Sequence, residues 1–325
     1  MMRPWRTLAF VSGAAALLLG AALTFAPTSY ATLSVLIGWR PSLAGPSPLP
    51  PTPSGKALGK LVAGRWLVQQ IAPDTWALGE PANDPDNYEY LLVGKSRALL
   101  IDAGMSRDAD IRPVLASLTR LPVTVIPTHL HSDHTHGLKY FTQIALVDLP
   151  LTRTLVQDGQ VHVQRLQYMA PVSDPAPVFA VSEWVRPEGD IDLGGRKVRL
   201  LWTPGHTDTS ISIHDPAAHL LFTGDLIYTT TLYAFMPESS LSTYVKTADR
   251  LLATLPADTT LYGAHCCRND MPAQAPWLML QDLRDVRQAS ADILAGKAQG
   301  KGVLMRRFPV NSRMTLETFY PFGNQ

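Results

Sequence analysis

A cluster of histidines constrains this chain more than any other feature in it. Residues 128–134 read Thr-His-Leu-His-Ser-Asp-His, which puts His129, His131, Asp133 and His134 within six residues. The run before them, Val123-Thr124-Val125-Ile126, has the apolar character of a buried strand, and Pro127 closes it. At a strand end side chains alternate, so His129 and His131 point to the same side. A turn after Ser132 brings Asp133 and His134 to a second point nearby. Imidazole nitrogen and carboxylate oxygen are the donors that borderline metals such as zinc accept, so the stretch predicts two neighbouring metal positions. A polar loop with unrelated histidines is the alternative for a single His. Here five of the chain's nine histidines, His129, His131, His134, His206 and His265, are assigned to metal.

His129-x-His131-x-Asp133-His134 resembles the signature of the metallo-β-lactamase superfamily. Ile101-Asp102-Ala103-Gly104 lies upstream of it; Thr203-Pro204-Gly205-His206-Thr207, Phe222-Thr223-Gly224-Asp225 and Gly263-Ala264-His265 follow in the family's order, so the resemblance covers roughly residues 62 to 270. It implies an α/β fold, the four-layer αββα sandwich. It implies one metal on His129, His131 and His206, a second on Asp133, His134 and His265, and Asp225 bridging them. Asp102 stands where the family keeps an acid behind the ligands, where it can accept the spare N–H of a ligating His; a plain helix or turn cap is the alternative. The true β-lactamases mostly carry Cys or Ser at the position of Asp225, so Asp225 is more similar to the glyoxalase II, lactonase and thioesterase branches.

Composition adds bounds. Charges nearly balance, 28 Lys and Arg against 27 Asp and Glu, and no long basic run occurs, so a nucleic-acid partner has no electrostatic support. The two cysteines, Cys266 and Cys267, are adjacent. They are expected to be two small buried thiols beside His265, with a vicinal disulfide as the sharper alternative.

At the N-terminus, Arg3 and Arg6 precede an uncharged stretch whose most apolar part is Leu8 to Phe25. Residues 1–40 are expected to be a signal peptide, with Ser29-Tyr30-Ala31 as a cleavage site, or else an uncleaved membrane anchor. Both predict an exported protein, periplasmic or secreted, or tethered with its catalytic part outside the cytoplasm. Residues 41–58 are a Pro-rich spacer. The domain is expected over 59–270, with a C-terminal helix and strands, 271–325, packed on it. Strands are expected at 66–71, 76–79, 88–93, 97–102, 144–147, 198–202, 210–213, 220–223 and 260–263, and helices at 108–119, 240–255 and 277–294. Leu151 to Met169 is expected to form a helical flap at the site's mouth, with His162 on its surface. Residues 189–195 are expected as a turn and 232–236 as an apolar loop. His136 is expected near the ligands without ligating, and His214 and His219 are expected to be exposed.

The expected function is hydrolysis of an ester, thioester or lactone with an apolar portion, by a hydroxide bridging two zinc ions (iron or manganese being possible) about 3.5–4 Å apart. Asp133 would orient the nucleophile and shuttle its proton, and Tyr228, three residues after Asp225, would hydrogen-bond the carbonyl oxygen as a Tyr at this offset does in similar lactonases. Exported β-lactam hydrolysis, a di-iron redox role and a non-catalytic binding module are the competing readings. The glyoxalase II substrate is cytoplasmic, which conflicts with export.

Overall fold

The computed structural model describes residues 59–80, 86–170, 174–266, 275–302 and 305–319. The expected signal or anchor and the Pro-rich spacer lie outside the described residues. The first sheet takes its strands in chain order: β1 (Lys60–Val62), β2 (Trp66–Ala72), β3 (Thr75–Glu80), β4 (Asp86–Val93), β5 (Ala98–Ile101) and β6 (Val123–Ile126). Neighbours are antiparallel up to β5; β5 and β6 are parallel, with Ala98 opposite Val123. The crossover between that parallel pair is the Arg112–Leu118 helix, which begins with a Pro in its first turn, where a missing N–H costs nothing.

The second sheet repeats the plan. Its order is Asp190–Asp192, Lys197–Trp202, Ile211–Asp215, Leu220–Gly224, Thr260–Gly263 and Trp277–Met279. Its one parallel pair, Leu220–Gly224 with Thr260–Gly263, is again bridged by a helix, Leu241–Thr254. Ser240 caps that helix by accepting a hydrogen bond from the Thr243 amide at 3.2 Å.

Strand alternation explains the layering. In β4 and β5, Tyr88, Tyr90, Leu92, Leu99 and Ile101 face a core shared with Leu200, Ile213, Phe222 and Tyr262 of the second sheet. The opposite faces of β4 and β5, through Leu91 and Leu100, pack on Val114 and Leu115 of the first helix. On the outer side of the second sheet, Leu221 and Leu261 meet Tyr244 and Leu251, together with Leu283 and Val286 of the Leu280–Leu294 helix. Helix, sheet, sheet, helix is the expected αββα sandwich. Each fully buried Leu or Phe in it stabilises the fold by about 1.5–3 kcal/mol.

Several expected elements differ. Leu151 to Met169 is not one helix. It holds a helix at Pro150–Thr154, a hairpin of Val156–Gln157 with Gln160–His162, and a short helix at Arg165–Tyr168. Asp158 and Gly159 turn the hairpin with φ of 50° and 77°, the geometry an Asp-Gly pair favours. His162 is therefore on a strand, and Leu155, Val161 and Tyr168 extend the outer core under the first sheet. Residues 190–192 form an edge strand, so the turn there is confined to Gly194 and Gly195. Trp277–Met279 is a strand of the second sheet, not the start of the helix. Residues 230–233 form a strand parallel to Met314–Phe319, which pairs in turn with Met305–Pro309. The C-terminal helix and the described strands pack on the second half through Leu283, Val286, Phe308, Met314 and Leu316. His214 and His219 are half-buried, and His219 Nδ1 lies 2.8 Å from Asp258 Oδ1. Among the described residues no helix is long and apolar enough to cross a membrane.

Candidate metal centre

The ligand-bearing loops all leave the C-terminal ends of strands. His129 to His134 follow β6, His206 follows Lys197–Trp202, Asp225 follows Leu220–Gly224, and His265 follows Thr260–Gly263. Open α/β sheets place ligands at such strand ends. His131 is extended and caps a one-turn helix, Ser132–Thr135, which swings Asp133 and His134 toward the second half. Gly224 turns with φ of 52°, and a Cβ there would stand 2.5 Å from Thr128 Oγ1. Only glycine lets the Asp225 strand end approach the His129 loop so closely.

The seven expected ligands converge. The donors form three groups, within each of which the atoms lie within 4.8 Å of one another: His129, His131 and His206; His129, His134 and Asp225; and Asp133, His134 and His265. His131 Nδ1 is 2.9 Å from His129 Nε2 and 3.1 Å from His206 Nε2. Asp225 divides its oxygens. Oδ1 lies 3.5 Å from His134 Nε2 and 3.3 Å from His265 Nε2, while Oδ2 lies 3.5 Å from His206 Nε2. Asp133 Oδ2 is 3.3 Å from His265 Nε2.

Hydrogen bonds behind the rings fix their tautomers. His134 Nδ1 donates to Asp102 Oδ2 at 2.9 Å. His206 Nδ1 donates to the Tyr233 carbonyl at 2.9 Å. Thr128 Oγ1 donates to Asp102 Oδ2 at 3.0 Å, so it accepts from His129 Nδ1 at 3.2 Å. Each of these rings therefore turns its Nε2 inward, the arrangement of ligating imidazoles. Asp102 is accordingly a support behind the ligands and not a helix cap. It takes a left-handed φ of 63° to do so, and it also accepts the Thr128 amide at 2.6 Å.

Electrostatics agree with a cation at this place. Burial, with neighbouring imidazoles adding to it, pushes His131 down to about 3 and His129 well below the usual histidine range; burial also lowers His206. These three are neutral donors. Burial works against charge on Asp225, but His265 and His134 outweigh it and hold the carboxylate well below its usual range. Burial likewise opposes charge on His265, and Asp225 and Asp133 outweigh it, raising it to about 10. His134 Nε2 and Asp225 Oδ1 are buried and have no hydrogen-bond partner among the described residues. Convergent ring nitrogens, anionic carboxylates and orphaned buried polar atoms together fit a divalent metal.

Tyr228 is buried, its ring edge-on to His265 with centroids 5.1 Å apart, and its hydroxyl oxygen accepts the Tyr233 amide at 3.2 Å. His136 stays off the ligand cluster, as expected, and its Nε2 meets Asp174 Oδ2 at 2.6 Å. Cys266 is buried between the sheets, as a small apolar residue would be, but its thiol is not free: it is disulfide-bonded. The chain's other cysteine, Cys267, lies outside the described residues. Sequence reasoning missed Thr128 as the hub of the tautomers, the Tyr233 carbonyl, and Asn87 and Glu89 behind Asp133.

The family model of the metallo-beta-lactamase superfamily matches residues 88–265, from β4 to the last of the ligand histidines. The chain belongs to the metallo-beta-lactamase superfamily. Among this superfamily protein's curated relatives is the acyl-coenzyme A thioesterase MBLAC2 of Gallus gallus, 29% identical over 202 residues, which are 54% of this chain and 73% of the relative. A hydroxyacylglutathione hydrolase of Mesorhizobium japonicum is 27% identical over 159 residues, 47% of this chain and 53% of the relative, so the match spans about half of that enzyme. Both relatives are hydrolases. A solved metallo-beta-lactamase from Pontibacter korlensis superposes with a TM-score of 0.52 at 18% identity, covering 70% of this chain and 100% of that one. That likeness shows the fold.

Proposed function

We propose that this protein is a binuclear metal-dependent hydrolase of acyl thioesters, with esters and lactones as the neighbouring substrates. The observation that carries the binuclear reading is the division of Asp225, one oxygen facing His206 and the other facing His134 and His265. Thioesters lead because the names of both relatives denote cleavage of an acyl–sulfur bond. The all nitrogen and oxygen donor set is one that zinc accepts, and zinc is the metal we assign to it. We also propose that the N-terminal segment exports or tethers the domain.

Divalent cations at the site would supply Lewis acidity and a water made acidic enough to attack an acyl carbon near neutral pH. His129, His131 and His206 would hold one, Asp133, His134 and His265 the other, with Asp225 shared. Without a cation, the charges of His134 and His265 outweigh burial and hold Asp133 as an anion, a role that bound cations would take over. Its carboxylate, 25% exposed, orients the attacking water, takes the water's proton and passes it to the departing thiolate. Burial, reinforced by the Asp225 charge, keeps the Tyr228 phenol protonated. Its oxygen already accepts the Tyr233 amide, so its own proton remains to be donated to the acyl oxygen.

The test is hydrolysis by the metal-loaded full-length protein across acyl thioesters, acyl-homoserine lactones, aryl esters, phosphodiesters and nitrocefin. Turnover of thioesters ahead of the others is expected; turnover of nitrocefin alone would reject the proposal. Tyr228→Phe is expected to lower kcat by about a hundredfold, the usual cost of one oxyanion donor, with metal content unchanged. Unaltered turnover would remove Tyr228 from the mechanism.

A further inference from the structure

Behind the second group of ligands lies a buried polar layer that the proposed chemistry does not use. Asn87 and Glu89 are both fully buried on β4, two residues apart and hence on one face of the strand. The Asn87 amide nitrogen makes two hydrogen bonds. It donates to the Asp133 carbonyl oxygen at 2.9 Å and to Glu89 Oε1 at 3.1 Å. Asn87 is also the register partner of His265, because the short strand His265–Cys266 pairs antiparallel with β4. One residue therefore touches two of the three ligands in the group Asp133, His134 and His265.

The geometry defines which way the amide points. Both contacts of Nδ2 are to oxygen atoms, so the flipped amide would set Oδ1 against a carbonyl and a carboxyl group. Glu89 holds this orientation from behind and shares a side-chain hydrogen bond with Glu80. Glu80 in turn accepts the Met105 amide at 3.0 Å and the Ser106 hydroxyl. The chain of contacts runs from the loop after β5, through two carboxyl groups and one amide, to the backbone of a metal ligand. None of these groups belongs to His129, His131 or His206.

We infer that Asn87 is a positioning residue for the second metal only, holding the Asp133 backbone at the distance set by the His265 strand. This rests on the binuclear reading above. Residues that orient ligands from behind typically carry 10- to 100-fold in metal affinity, and here that effect falls on one position of two.

The experiment is metal titration of the full chain with zinc, read as bound zinc per protein after dialysis and as two dissociation constants. The wild type serves as the control: a ratio below two rejects the binuclear reading itself, before any variant is compared. With two zinc ions in the wild type, Asn87→Ala is expected to weaken the second by roughly 10- to 100-fold and leave the first unchanged. Adding His131→Ala to that variant should remove the remaining ion. If Asn87→Ala does not fold, Asn87→Leu fills the volume without a donor and should give the same selective loss. Glu89→Gln keeps an acceptor for Asn87 and a donor toward Glu80, so it should retain both ions. Two unchanged constants in Asn87→Ala, or equal weakening of both, would overturn the inference.

Discussion

Asp225→Ala is expected to lower kcat/KM by about a thousandfold or more, roughly 4 kcal/mol of lost transition-state stabilisation. The size follows from position. His129 and His134 each enter two of the donor groups, but only Asp225 splits two carboxylate oxygens between partners, one facing His206 and the other facing His134 and His265. On the proposed binuclear reading, alanine removes the shared ligand and also a negative charge that would offset cations in a buried site. Bound metal should fall below two per chain together with activity. Kinetics on the best thioester, with metal analysis of the same sample, check both parts. A variant that keeps two metals and a tenth of its activity would show that Asp225 does not bridge.

Asp102→Ala is expected to cost about 3–5 kcal/mol in stability, the loss seen when one partner of a buried ionic contact is removed. Asp102 is 1% exposed, and its carboxylate accepts the Thr128 amide, the Thr128 hydroxyl and the His134 ring. Alanine leaves these donors buried and unpaired, and it places a side chain without polar atoms at a left-handed φ. The His129 tautomer loosens as well, since Thr128 connects Asp102 to that ring. Urea unfolding of the metal-free protein isolates the effect from metal binding. A loss under about 1 kcal/mol would make Asp102 a bystander.

How much of this was legible in the sequence depends on distance along the chain. His129, His131, Asp133 and His134 share one loop, and their spacing alone foretold a common centre. His206, Asp225 and His265 come from other loops, and only the family resemblance placed them; the structure brings all seven together. The layering also came from the resemblance. Its physical basis is the alternation that sends Leu99 and Ile101 to one core and Ala98 and Leu100 to another. Asn87 carried no signal, because its partners Asp133 and His265 are distant in sequence and an amide has no motif of its own. The Leu151 to Met169 stretch misled through its scattered apolar residues, while its Asp158-Gly159 pair held the correct turn information. Trp277–Met279 was hidden because three residues are too few to display alternation. The strand also runs directly into its helix, with Asp282 Oδ2 accepting the Met279 amide at 2.8 Å.

One feature of the topology governs how such a site comes into being. After Thr260–Gly263 the chain leaves the second sheet and, within two residues, pairs with β4 of the first. His265 thus sits on the stitch that joins the halves, and Tyr90 fastens it by donating to the Gly263 carbonyl at 2.6 Å. During synthesis the first half emerges with four ligands already on one loop, yet the set is completed only when this stitch closes. Metal capture then acts as a latch on assembly: the binding free energy is released once the sheets have docked, and it opposes their separation afterwards.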